Sequence, residues 1–474
     1  MSILPTKKPS TQNLTPDVLF NIFMVCVDLD FFWYRKCSSP STMQILASVC
    51  KSWREIALRN SFLWGNIRFA KFTKTTLSLL KIHLERSKDS SLILGLNLGG
   101  QDQSTQLMRD PRNRRSPFQQ IFGELLLQQH RWCRFGILRD AYTGQDTINN
   151  HWEINNLPLT EELIIRTPIN EQHNPLFSHS FELNLSKSFK LESLYLHGDI
   201  RLRWDSPSRL ESLTNIQLEH KYSTQQFPNI ADCLTLLSRT PNIQYLLIYP
   251  SNPPFTFNSL PHVNLEHLIM LEIGSHGVRK STSQLLPYLT LPNLEHLCIC
   301  NESGVLTKDV ELASSREQLG SIDSLLHRSG AKIKYFLLDS NYEDELSLIG
   351  ILESMTYLIG LSISSCTTLS KQLFDSLALA GHSDNRGLCP DIEQLKLENC
   401  AFGPRWIEKR NRDPLVLESL KNMIVSRKDF HPSEPRLRSV DLRYCNLFLA
   451  LNSRMVRECT DSGLVLNCVE ETSQ

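Results

Sequence analysis

The chain has 474 residues, too many for one compact core, so at least two domains or a repeat array are expected. Its 50 basic and 50 acidic side chains cancel, leaving no overall field that would draw it to nucleic acid or an anionic membrane. Thirteen cysteines, an odd number without a C-x-x-C pair, fit reduced and mostly buried thiols rather than a disulfide framework.

Residues 1–13, MSILPTKKPSTQN, lack the apolar core of a secretory leader and read as a disordered lead, so a cytoplasmic or nuclear protein is expected. Thr15 can then cap a helix, Pro16 suits its first turn, and Asp17 sets a carboxylate against the positive end of the helix dipole. From Val18 to Val27 only Asn21 interrupts the apolar run, which is half the length that spans a bilayer. A helix apolar all round must be covered all round. Leu46, Val49, Trp53 and Ile56, spaced like one helical face, can cover one side. Three short helices cannot bury both sides, so the remaining face points to a partner protein.

Further along, Thr75 to Arg86 has the leucine spacing of a helix, and Leu92, Leu94, Leu96 and Leu98 alternate as in a strand. Arg109 to Ser116, RDPRNRRS, reads as a solvated loop. Phe118 to His130 predicts a helix and Trp132 to Ile137 a strand, an alternation expected to continue to the end. From about residue 160 an L-x-x-L-x-L template recurs nine times. Its first copies are Leu191–Leu194–Leu196, Leu213–Ile216–Leu218, Ile243–Leu246–Ile248 and Leu265–Leu268–Met270. It continues through Leu294–Leu297–Ile299, Ile333–Phe336–Leu338, Leu358–Leu361–Ile363 and Ile392–Leu395–Leu397 to Leu437–Val440–Leu442. Amphipathic helices are predicted between these strands, at 231–238, 282–288, 321–328, 344–355, 370–378 and 415–425. Strand, helix and strand running one way require a parallel sheet with right-handed crossovers.

No catalytic constellation is present: no G-K-[ST] phosphate loop, no H-E-x-x-H, no G-x-S-x-G and no dinucleotide fingerprint. Cys298 and Cys300 share one strand face, where a metal could bridge them, but no second pair in the sequence completes a tetrahedral set. They read as repeat-surface residues. No catalytic residue, metal or cofactor is expected.

Two resemblances follow. Leu14, Pro16, Asp17, Leu19, Ile22 and Phe23, then Val49, Cys50, Lys51, Trp53, Arg54, Ile56 and Ala57, and finally Leu63–Trp64, follow the F-box-like motif of large fungal families in order and spacing. The chain departs from that pattern at Ser61–Phe62, where a proline-containing turn is usual, and in a long connector carrying Phe31, Phe32, Trp33 and Tyr34. The later template resembles leucine-rich repeats, with Cys366, Cys400 and Cys445 at the asparagine-or-cysteine position. Together they imply an α/β chain: an N-terminal three-helix F-box, then an irregular leucine-rich-repeat solenoid with parallel strands and outer helices. The expected division is a lead at 1–13, an F-box-like domain at 14–70, connecting helix and strand repeats at 71–158, a solenoid at 159–455 and a tail at 456–474.

The resemblance further implies docking on a Skp-type adaptor, and through it on cullin, as the substrate-recognition subunit of an SCF-type E3 ubiquitin ligase. Leu14, Pro16, Leu19, Ile22, Phe23, Leu46, Val49, Trp53 and Ile56 are the expected adaptor contacts, some of which must instead form the module's own core. In a leucine-rich sheet the leucines point inward and alternate residues face the concave surface. On that basis Tyr245, Tyr249, His267, Ile269, His296, Tyr335 and Leu337 are expected to contact an unknown protein substrate. The alternatives are an F-box scaffold outside any ligase and an enzyme whose site lies in the long loops. Neither nucleic acid nor membrane is an expected partner.

Overall fold

The computed structural model describes residues 14–29, 42–70, 72–97, 117–138, 152–166, 181–198, 200–205, 208–219, 229–250, 260–276, 280–302, 308–339, 345–366, 369–379, 387–400, 414–429, 437–445 and 464–469. The lead 1–13, the aromatic connector Phe31 to Tyr34 and the arginine-bearing loop at 109–116 lie outside these residues. The chain divides into two compact units, Met1–Ser208 and Arg209–Gln474.

The first unit opens with four helices: α1 (Pro16–Leu29), α2 (Thr42–Val49), α3 (Lys51–Arg59) and the single turn α4 (Ser61–Trp64). Proline at the first position of α1 loses no hydrogen bond, and the first helical bond runs from the Leu19 N–H to the Thr15 carbonyl. Cys50 separates α2 from α3 in an extended conformation, and its sulfur accepts the Trp53 N–H, so a cysteine serves as helix cap. Leu19, Phe23, Met43, Leu46, Ala57, Leu63 and Trp64 form the core of this bundle. The Trp64 indole donates to the Ala57 carbonyl at 2.9 Å, which satisfies its polar atom inside that core.

A parallel ladder follows. It contains β1 (Asn66–Phe69), β2 (Leu92–Asn97), β3 (Trp132–Leu138), β5 (Glu162–Arg166) and β7 (Ser193–His197), in that spatial order. Gly65, at the entrance to β1, passes so close to the Ser91 carbonyl that a Cβ would stand 2.4 Å from its oxygen. The helices α5 (Lys74–Ser87) and α6 (Pro117–Leu126) connect the first three strands.

After β3 the expected alternation of helix and strand gives way. β4 (Trp152–Ile154), β6 (Phe181–Asn184) and β8 (Ile200–Arg203) form a second parallel ladder of their own. Three or four residues per segment are too few for a helix, whereas parallel pairing satisfies their backbone groups. Trp152 meets the rings of Phe118 and Phe122 edge-on, and Phe122 also meets Phe181, so an aromatic cluster ties α6 to this ladder.

The second unit is solenoid-like. Its ladder runs β9 (Asn215–Glu219), β10 (Tyr245–Ile248), β12 (Met270–His276), β14 (His296–Glu302), β15 (Tyr335–Asp339), β16 (Gly360–Ser364), β17 (Gln394–Glu398), β18 (Ser439–Arg443) and β19 (Val465–Val469), all parallel. A pair of two-residue strands, β11 (Val263–Asn264) and β13 (Leu289–Thr290), lies apart from it. The helices are α7 (Ile230–Leu237), α8 (Lys280–Leu285), α9 (Lys308–Ser329), α10 (Glu345–Ser354), α11 (Lys371–Leu377) and α12 (Pro414–Asp429). β19 lies inside the segment expected as a tail and extends the ladder by one strand. No described helix is long and apolar enough to cross a membrane.

The leucine template falls on these strands in register, with one correction. Leu246 pairs with Leu271 and Ile248 with Ile273, so the template there is Leu268–Leu271–Ile273, not Leu265–Leu268–Met270. The segment offers two overlapping L-x-x-L spacings, and the later one buries Leu271 and Ile273 without loss of Leu265 or Leu268, which also stay buried. His267 therefore sits exposed in the turn before β12, and Ile269 just ahead of the strand. Met270, Glu272 and Gly274 take the face positions.

The three cysteines at one offset belong to a repeated turn. Ser365, Asn399 and Tyr444 each adopt a positive φ (58°, 51° and 55°), directly before Cys366, Cys400 and Cys445. Their N–H groups donate to the last carbonyls of the next strand, on Glu398, Arg443 and Val469. The Cys400 thiol faces the carbonyls of Ile363 and Glu398, and the Cys445 thiol those of Leu397 and Arg443.

Arginines close the other side of the repeats. Arg131 donates to the Ser90 carbonyl and the Ser87 hydroxyl, and Arg328 to the carbonyls of Leu286 and Leu289. Arg427, fully buried, donates to the carbonyls of Leu377, Leu388 and Cys389. Planar guanidinium groups with several donors suit the carbonyls where neighbouring connections end.

Candidate functional site

Two surfaces carry the residues singled out in the sequence. On the N-terminal bundle the expected adaptor contacts separate. Leu19, Phe23 and Leu46 are core, and Trp53 and Ile56 pack against that core half-buried, Trp53 with its ring 4.9 Å from that of Phe23. Leu14, Pro16, Ile22 and Val49 are exposed. Val18, Ile22 and Val25 make an apolar stripe at i, i+4 and i+7 along α1, 38 to 58% exposed, and Leu14, just ahead of the helix, is 39% exposed. Ile45 and Val49 repeat the spacing on α2.

The second surface is the solvent-side face of the second unit's ladder. Register places Tyr245, Met270, His296, Tyr335 and Gly360 in one row across adjacent strands. Leu247, Glu272, Cys298, Leu337 and Ser362 form the next row. Tyr245 is exposed, whereas Tyr249, His296, Tyr335 and Leu337 are half-buried. The His296 ring stacks on that of Tyr335 with centroids 4.6 Å apart. Of the seven expected substrate contacts the ladder brings five to this face and leaves out His267 and Ile269.

At the middle of the face lies a polar cluster. The Tyr249 hydroxyl donates to Glu272 Oε1 at 3.1 Å. The Cys300 thiol points at the same oxygen from 3.8 Å, and the sulfurs of Cys298 and Cys300 lie 3.4 Å apart. Burial, then the neighbouring Cys300 and Glu272 charges, push the Tyr249 phenol well above its ordinary range, so it stays protonated and donates. The hydrogen bond with Cys300, then burial and the charges of Glu272 and Asp339, hold the Cys298 thiol protonated as well. Glu272 has no link to the cysteines in sequence spacing. Only the corrected register, which sets it opposite Cys298, would have found it.

No family model matches the chain, and no curated protein matches it. A crystal structure of a protein from Bacteroides fragilis is similar at 13% identity, with a TM-score of 0.29 over 60% of this chain and 67% of that one. A likeness that slight carries no argument about fold or function.

Proposed function

We propose that the chain is the substrate-recognition subunit of an SCF-type E3 ubiquitin ligase, docking on a Skp-type adaptor and offering its ladder face to a target protein. The observation that carries this reading is the division of α1. Leu19 and Phe23 are spent on the bundle's own core, while Val18, Ile22 and Val25, at helical spacing on the same helix, leave an exposed apolar stripe, with Leu14 exposed just ahead of it. Such a stripe costs free energy in water unless a partner covers it. The resemblance of Leu14 to Trp64 to the F-box-like motif supports a Skp-type adaptor as that partner. The target would meet the row of Tyr245, His296 and Tyr335, aromatic groups of the type in which binding energy concentrates. The protein would then act by proximity, raising the effective concentration of target lysines near the ubiquitin-loaded enzyme.

Affinity purification with the proteasome blocked tests the reading. The wild-type chain is expected to bring down adaptor and cullin, and Val18→Asp with Ile22→Asp to lose both while unfolding at an unchanged urea midpoint. Undiminished recovery from the variant rejects the docking assignment. Adaptor without cullin places the chain as a scaffold outside the ligase.

A further inference from the structure

The geometry points to a binding site for one thiophilic divalent cation, zinc or a metal of its kind, at Cys298, Cys300 and Glu272. The inference does not rest on the ligase reading. It begins with register. Cys298 and Cys300, two residues apart on β14, project to the same side of the sheet, and β12 sets Glu272 directly opposite Cys298. The three donor atoms lie within 4.8 Å of one another.

A tetrahedral zinc ion with sulfur at about 2.3 Å and oxygen at about 2.0 Å needs sulfurs about 3.8 Å apart and a sulfur-to-oxygen spacing of about 3.5 Å. The observed spacings are 3.4 Å between the sulfurs and 3.8 Å from Cys300 to Glu272 Oε1, each a few tenths of an ångström from those values, and Cys298 lies within 4.8 Å of the carboxylate, so side-chain movements on the order of 1 Å complete the set. Two thiolates and a carboxylate suit zinc, and a fourth position is left for water or for a donor from a bound molecule. Each cysteine releases its proton to solvent as the metal binds.

The surroundings hold the carboxylate in place. The Tyr249 phenol donates to Glu272, the kind of outer contact that orients a metal ligand. That phenol reaches Glu272 because its ring crosses Gly274. A Cβ at Gly274 would stand 2.2 Å from the ring and 2.6 Å from the Cys300 carbonyl oxygen. Glycine at 274, tyrosine at 249 and the three donors thus form one arrangement built across three strands.

The test is a titration of the full chain with Co2+, after chelation and under a phosphine reductant. A single equivalent is expected to bind, with a thiolate-to-cobalt charge-transfer band and the visible bands of four-coordinate cobalt, and zinc should bleach both. Cys298→Ser with Cys300→Ser is expected to abolish the bands. Glu272→Gln and Tyr249→Phe should weaken binding, Tyr249→Phe by roughly 10- to 100-fold. Cys400→Ser, in the repeated turn, should leave the titration unchanged. The proposal is overturned by a wild-type chain without the charge-transfer band. It is equally overturned by undiminished bands in the double variant, or by their loss in Cys400→Ser, either of which puts the metal on other thiols. Should the double variant lose its circular dichroism, undiminished affinity in both Glu272→Gln and Tyr249→Phe overturns it.

Discussion

The ring of Tyr335 lies across Gly360 on the next strand, where a Cβ would stand 2.6 Å from the tyrosine Cδ1. The same ring carries the stacked imidazole of His296 on its other side. Glycine is therefore the residue that lets the aromatic row lie flat. Gly360→Ala is expected to tilt Tyr335 and lower stability by about 1–3 kcal/mol, as overpacking does elsewhere. Gly350→Ala, in α10 with nothing within 4 Å of the new atom, should instead add up to about 1 kcal/mol. Urea midpoints of the two variants, moving in opposite directions, check the pair.

Arg427 supports a different layer. Its guanidinium joins the end of α11 to the turn before β17 through three carbonyls, at 2.6 to 3.0 Å. Arg427→Met keeps most of the volume but leaves those carbonyls unpaired in a buried place. A loss of about 3 kcal/mol or more is expected, and Arg427→Lys should recover only part of it, because one ammonium cannot span the acceptors of a planar fork. Hydrogen exchange in α11 and α12 reads the effect locally.

The N-terminal bundle gives a paired expectation from two adjacent residues. Phe23 has no exposed surface and packs on Trp53, so Phe23→Ala should destabilise the bundle by about 3–5 kcal/mol. Ile22 lies outside the core, and Ile22→Asp should change stability by no more than about 0.5 kcal/mol. Amide exchange across α1 to α3 distinguishes them.

His83 makes part of the stability depend on pH. Its Nδ1 lies 3.2 Å from the Trp64 carbonyl, and its ring meets the Trp64 indole edge-on, with Arg86 over the same indole. Burial holds its pKa below the ordinary 6.5, the Trp64 hydrogen bond opposes the shift, and Arg86 adds to it. The folded state thus prefers the neutral ring, while the unfolded chain takes up a proton near 6.5. This contribution is complete above the unfolded value and is lost as pH falls through the depressed folded one. His83→Gln should therefore show a smaller drop in urea midpoint than the wild type between about pH 7.5 and about pH 5.5.

Much of the second unit was legible because its burial has a period of two. Leu246 and Ile248, or Leu395 and Leu397, point inward for the same reason that their spacing stands out. Where leucines stood at 265, 268 and 271 the pattern allowed two registers, and only pairing with β10 chose between them. The short ladder of β4, β6 and β8 left too few residues per strand for any periodicity. Leu19 and Ile22 are alike in hydrophobicity, so their opposite fates depend on where α2 and α3 pack. Arg427 was silent because its partners are backbone atoms, which carry no residue identity. Glu272 was silent because its partners lie on another strand.

Along the second unit's main ladder the strands pair in the order in which they occur in the chain, with only β11 and β13 passed over. The structure is thus a succession of rungs whose bonds are short in sequence. Pulled from one end, such a unit should give way rung by rung, as a series of small force steps rather than one rupture. If released midway, it should rewind on the rungs still standing.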